Sequence, residues 1–154
     1  MREATHMQMR HDILTHGVNI VAAQHEGRKM GLSIAWATQV ATDRILVCVG
    51  KQSATRDLIL ESKASGLSVL RADQIEVSRT FGTKSSKDVD KFEGIAHHTA
   101  KTGSPLLDDC GAAFDCVVEA VHNQGEAKLI VGRIVSAEFR SKRYEPLLYR
   151  EEEY

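Results

Sequence analysis

The chain has 154 residues, 42% of them hydrophobic and 27% charged, with 20 basic residues against 21 acidic and a formal net charge of -1. That length suits one domain with a real core, and the near-neutral balance argues against a general nucleic-acid or membrane-surface binder. No run approaches the roughly 20 apolar residues of a membrane span, and the polar start MREATHMQMRHD lacks a signal peptide's apolar core, so the expectation is a cytoplasmic protein.

Val18 to His25 is a short apolar run ending in the turn signal Glu26-Gly27-Arg28-Lys29. Met30 to Val40 follows, and the pair reads as a hairpin. Ile45 to Val49 is rich in β-branched residues and reads as a buried strand. Ser53 opens a helix with apolar positions at Ala54, Leu58 and Ile59, and Gly66 is the expected C-terminal cap. Leu67 to Leu70 is a further short strand. Asp73 and Glu76 have capping-box spacing and start a second helix running to about Phe81. Gly82 to Gly103 is polar and irregular, with one short helical turn expected near Asp88-Val89-Asp90-Lys91-Phe92. Phe114 to Val121 alternates as a strand, Asn123 to Glu126 is a turn, and Lys128 to Phe139 is a long strand. Both prolines, Pro105 and Pro146, fall in expected connecting segments. Strands near both ends with two helices between them suggest a β-barrel with helical insertions.

Cys48, Cys110 and Cys116 form neither an even disulfide set nor a CxxC pair, and they read as buried thiols. His97 and His98 have no carboxylate or cysteine at ligand spacing, so no metal site is expected. GxGxxG, a Walker lysine loop and a GxSxG elbow are all missing from the sequence.

The stretch from Met30 to Arg56 carries more information. On a strand, Ser33, Ala35, Ala37 and Gln39 share one face, and Leu32, Ile34, Trp36, Thr38 and Val40 the other. Small residues let a planar ring approach the backbone. A half-buried strand with Trp36 as core filler explains the same pattern. The turn after it, Gly50-Lys51-Gln52-Ser53-Ala54-Thr55-Arg56, places hydroxyls and cations at a helix N-terminus, where unpaired N–H groups favour an anion such as phosphate. Ser53 or Thr55 as a simple N-cap, with solvated cations, is compatible with that role.

These segments resemble the flavin reductase-like family, whose fold is the FMN-binding split barrel. The resemblance rests on Gly31 to Trp36 and the strand after it, then Lys51 to Thr55, Phe81-Gly82, Asp88 to Phe92, Thr102 to Leu107, and Pro146 to Tyr149. It spans about residues 9 to 150, through the order and spacing of its pieces rather than through one motif. It implies a mainly β, Greek-key split β-barrel with two or three short helices, one domain over residues 1–154 with 1–8 as a disordered segment or an arm. It implies FMN held non-covalently, at the interface of a homodimer. Ser33, Ala35, Trp36, Ala37, Thr38 and Gln39 would line the ring and ribityl chain. Gly50, Lys51, Ser53, Thr55 and Arg56 would surround the phosphate, and Lys91 would reach the flavin from a loop.

The activity so implied is hydride transfer from NADH or NADPH to flavin, with electrons passed on to a partner protein or an oxygenase. That step needs positioning more than a general acid or base, so no catalytic side chain is named. Two positions depart from the family pattern. Asp43-Arg44-Ile45 stands where many members have a double proline, and Gly125-Glu126-Ala127 stands where many have a Gly-Asp-His turn. The second departure keeps two alternatives in view: an FMN electron carrier without its own NAD(P)H activity, and a non-catalytic split-barrel binding module.

Overall fold

The computed structural model describes residues 9–51 and 53–154; the arm expected over residues 1–8 and the turn residue Gln52 lie outside them. Seven strands form one antiparallel sheet: β1 Asn19–His25, β2 Arg28–Ile34, β3 Ala37–Ala41, β4 Arg44–Val49, β5 Ala64–Val69, β8 Ala112–Gln124 and β9 Ala127–Phe139. Their spatial order is β2-β1-β5-β8-β9-β4-β3. A two-stranded ribbon, β6 His97–Thr99 with β7 Pro105–Leu107, stands apart from it. The helices are α1, Ala54–Ser62, and α2, Ile75–Thr83, followed near the end by a short 3-10 turn, Glu151–Glu153. No helix among the described residues is long and apolar enough to cross a membrane.

The two edges of the sheet, β2 and β3, are consecutive in sequence. The run from Met30 to Val40 is therefore two strands rather than the single one expected. At Ala35-Trp36 the chain leaves the edge beside β1 and crosses to the edge beside β4, where the Trp36 carbonyl accepts from Cys48 N at 2.9 Å. This bend curls the sheet into a barrel. Inside it, Val21, Ala23, Val47, Val49, Leu67 and Ile130 pack together, with Leu58 and Ile59 of α1 joining them. The alternate residues of β1, Ile20 and Ala22, face outward into a second core with Phe81, Phe92 and Leu106, which belong to α2 and the segments after it. Period-two patterning thus serves two cores, one on each face of β1.

Several boundaries differ from the sequence reading. Helix α1 ends at Lys63, which adopts the left-handed conformation (φ 58°, ψ 31°), three residues before Gly66. Gly66 instead lies inside β5, where an added Cβ would stand 2.3 Å from the Pro105 carbonyl oxygen. Space, not backbone conformation, demands glycine there. The capping box at Asp73 is absent: Gln74 precedes α2, its amide oxygen accepting from Arg71 N, while Asp73 and Glu76 pair with Arg71 and Arg79. The segment read as irregular contains β6, and Pro105 begins β7, the first position of a strand that a proline tolerates best. Turns, not a helix, span Ser85 to Gly94.

Asp115 of β8 is fully buried. One of its carboxylate oxygens accepts from Lys101 N (2.7 Å) and Thr102 N (2.8 Å), and the other from the Thr102 hydroxyl (2.5 Å). This carboxylate fastens the loop before β7 to the sheet. Asp115→Ala would leave the Lys101 and Thr102 N–H groups, both part-buried at the sheet, without their acceptor, at about 1–3 kcal/mol for each that water does not reach. The expected result is a loss of about 3 kcal/mol in urea unfolding, with the slope of the transition unchanged.

Candidate functional site

Two hollows lie along the free edge of β2. The first is a cavity of about 380 Å³ at the start of α1, lined by Leu32, Gly50, Ser53, Thr55, Gly82 and Lys91 among others. Here β4 ends and the chain turns into the helix. Ser53 caps it, its hydroxyl accepting from Arg56 N at 3.1 Å. The first-turn N–H groups have no acceptor within the helix and point out of its end with the positive end of the dipole. Lys84, Ser85 and Ser86, just past α2, form the opposite wall.

Lys91 closes this cavity from beneath. It is 5% exposed, and its Nζ donates to the carbonyls of Gly31 and Phe81, both at 2.9 Å. Phe81 lies in the last turn of α2, where a cation meets carbonyls that the helix leaves unpaired. The neighbouring Phe92 packs edge-on against the Phe81 ring, with centroids 5.0 Å apart, and fixes the loop that carries the lysine. Burial lowers the Lys91 pKa to about 8.

The second hollow, of about 230 Å³, surrounds the bend between β2 and β3. Ser33, Ala35 and Trp36 line it, with His11, Cys48 and Tyr149. Trp36 is 44% exposed, so core filler is not its role. Its indole N–H donates to the His11 carbonyl at 3.3 Å, and the His11 ring lies 6.0 Å away. His11 in turn pairs with Glu151 through Nδ1 at 2.5 Å. Burial pushes the Cys48 thiol up, which keeps it protonated near neutral pH.

The two hollows meet where α2 crosses β2. A Cβ on Gly82, in the first cavity, would lie 3.3 Å from Ser33 Cβ, in the second. Ser33 also pairs with Ser78 of α2 at 3.0 Å, and Ser78 contacts the Tyr154 hydroxyl. Because Gly31 turns its carbonyl away from β1 toward Lys91 and Ser86, strand alternation directs the backbone groups of Ser33 outward along the same edge.

The twelve residues singled out in the sequence fall into four places. Gly50, Ser53, Thr55 and Lys91 share the helix cavity, and Ser33, Ala35 and Trp36 share the bend. Ala37, Thr38 and Gln39 lie beyond the bend, in an apolar groove of about 430 Å³ with Phe114 and Phe139. The expected common face from Ser33 to Gln39 is broken by the change of edge. Lys51 and Arg56 line a separate cavity on the other side of the turn. The sequence reading missed His11, Tyr149 and the Lys84-Ser85-Ser86 wall. The serine-lysine run after a helix was a readable signal, whereas no local pattern marks His11.

A profile of the Flavin reductase like domain family matches residues 9–154. The chain belongs to that family. It is 33% identical over 129 residues to a ferric-chelate reductase (NAD(P)H) of Archaeoglobus fulgidus, covering 81% of this chain and 76% of that one. To the FMN reductase (NADH) RutF of Bradyrhizobium diazoefficiens it is 31% identical over 121 residues, covering 77% and 67%. The crystal structure of a nitrilotriacetate monooxygenase component B homologue from Mycobacterium thermoresistibile superposes with a TM-score of 0.82 at 29% identity, covering 90% of this chain and 77% of that one.

Proposed function

We propose that this protein binds FMN along the free edge of β2 and works as a flavin reductase, taking hydride from NADH or NADPH and passing electrons onward. The observation that carries this reading is the continuity of the two hollows. A cavity suited to an anion at the N-terminus of α1 adjoins a hollow walled by Trp36, the order in which one ligand would carry a phosphate and an aromatic ring. The chemistry of the donor set fits FMN. First-turn N–H groups and the hydroxyls of Ser53 and Thr55 supply phosphate donors, Lys91 supplies charge, and the outward edge at Ser33 offers backbone groups to ring oxygens and nitrogens. When bound, the flavin supplies a hydride acceptor and a carrier of one or two electrons.

The chain's own contribution is positional. Trp36 walls the ring hollow and restricts what reaches it. Lys91, fixed by two carbonyls, places positive charge near the phosphate without needing to move. A monooxygenase component as electron acceptor accords with the likeness to the component B structure. A second copy of the chain would cover the apolar groove beyond the bend, where Phe139 is 70% exposed.

Ala127 favours a second reading, an FMN electron carrier with no nicotinamide step, because the hairpin tip lacks the histidine found there in many relatives. Anaerobic mixing of the yellow protein with NADH and NADPH separates the two. Rapid bleaching of the flavin absorbance is the expected result; flavin that stays oxidised with both nucleotides, yet accepts electrons from a reduced iron–sulfur protein, would leave only the carrier. Ser53→Ala removes a hydroxyl beside the phosphate and should weaken FMN binding roughly tenfold, the effect of one hydrogen bond to a charged group, in a fluorescence titration. Unchanged affinity in the folded variant would remove the α1 cavity from the site.

A further inference from the structure

Lys51 and Arg56, which the sequence assigns to the flavin phosphate, line a different cavity from Ser53 and Thr55. It measures about 270 Å³ and lies between the turn before α1 and the tip of the β8–β9 hairpin, lined also by Asn123, Glu126 and Lys128. Three cations and one carboxylate therefore surround one small hollow. Lys51 lies 3.7 Å from the Glu126 carboxylate, and Lys128 donates to the Asn123 side chain at 2.7 Å.

Arg56 is the telling member. It is 8% exposed, yet among the described residues its guanidinium makes one hydrogen bond, from Nη1 to the Glu126 carbonyl at 3.3 Å. Among the described residues its buried Nε has no hydrogen-bond partner; the Asp57 carboxylate, 3.9 Å away, is near enough for an ion pair but not for a hydrogen bond. A buried guanidinium carries five donors and is costly to leave incompletely paired. An arginine so placed, facing two lysines across a hollow, suits a dianionic ligand with several oxygens.

We infer that this cavity is a second nucleotide-phosphate subsite, for a phosphate other than that of FMN. The inference rests on the reading of the α1 cavity as the FMN phosphate site, since the two cavities flank one turn, with Gly50, Ser53 and Thr55 on one side and Lys51 and Arg56 on the other. Two ligands present such a phosphate: the 2′-phosphate of NADPH and the adenylate phosphate of FAD. The first would make the enzyme prefer NADPH over NADH; the second would make it hold FAD more tightly than FMN.

Lys128→Gln tests the subsite. The residue sits near the hairpin tip, half-buried, with a single side-chain hydrogen bond, so the fold should tolerate the change. Calorimetric titrations of the FMN-loaded protein with 2′,5′-ADP and with 5′-AMP form one arm, and titrations of the flavin-free protein with FAD and FMN form the other. The expected result is that the ligand with the extra phosphate binds more tightly than its counterpart in one arm. Lys128→Gln should reduce that advantage roughly tenfold while FMN affinity is kept. The arm that responds identifies the source of the phosphate. No advantage in either arm, or an advantage that survives Lys128→Gln, overturns the inference. Failure of FMN itself to bind would overturn the flavin reading instead, and 2′,5′-ADP against 5′-AMP, titrated into the flavin-free protein, would still report on the subsite.

Discussion

Gly66→Ala is expected to destabilise this protein by forcing β5 and β7 apart. The new Cβ would lie 2.3 Å from the Pro105 carbonyl oxygen and 2.8 Å from Leu106 Cδ2. The first contact is with backbone, which cannot swing aside as a side chain can. Relief requires β7 to move away from β5, but the Ser68 hydroxyl holds Leu107 N at 2.9 Å and Asp115 fastens the loop before Pro105. Overpacking of this kind costs about 3 kcal/mol, at the upper end of the usual range. For a domain of this size that is a fall of roughly 10 °C in Tm. Thermal unfolding with and without FMN would check it. Both transitions should drop together, because Gly66 lines neither cavity along β2. A Tm within about 2 °C of the wild type, the effect of roughly 1 kcal/mol or less, would show that β5 and β7 separate easily.

The same glycine shows where sequence pattern stopped being informative. A glycine after a helical run reads as a cap, and nothing within five residues of Gly66 reveals that Pro105 lies against it. Helix α1 ends at Lys63 because its N–H can still reach the Ile59 carbonyl while its backbone turns left-handed. Elements with a strong local period were legible: the β1 hairpin, the start of α1 at Ser53, and the long β8–β9 pair. The bend at Ala35-Trp36 was not, because alternation continues through it in the sequence; only the Trp36 carbonyl's bond to Cys48 shows that the strand has changed partners. The candidate site divides in the same way. Ser53 and Thr55 announce a helix N-terminus. By contrast, the pairing of His11 with Glu151 joins residues 140 positions apart, and no local pattern could place them beside Trp36. Lys91 was found through resemblance, yet its burial and its two carbonyl partners belong to the folded chain alone.

FMN affinity is expected to fall as pH rises through about 8, the value to which burial lowers Lys91. Below that pH the side chain is an ammonium and attracts the phosphate; above it the amine is neutral and the attraction is lost. Bound phosphate favours the charged form, so the midpoint in the complex should lie above 8, and binding near pH 9 should take up a proton. Titrations from pH 7 to 10 in buffers of different ionisation enthalpy would measure both. Lys91→Met should flatten the profile and weaken binding at pH 7 roughly tenfold, the effect of removing one charged hydrogen-bonding partner. Stability of the flavin-free protein should move the opposite way. The folded pKa lies below the ordinary 10.5, so the unfolded chain binds more protons between pH 8 and 10.5, and Lys91 on its own makes the protein more stable as pH rises through that window. A structural lysine remote from the ligand would give the stability trend without the affinity trend. Opposite slopes in the two measurements, both removed by Lys91→Met, would therefore place the Lys91 charge at the FMN phosphate.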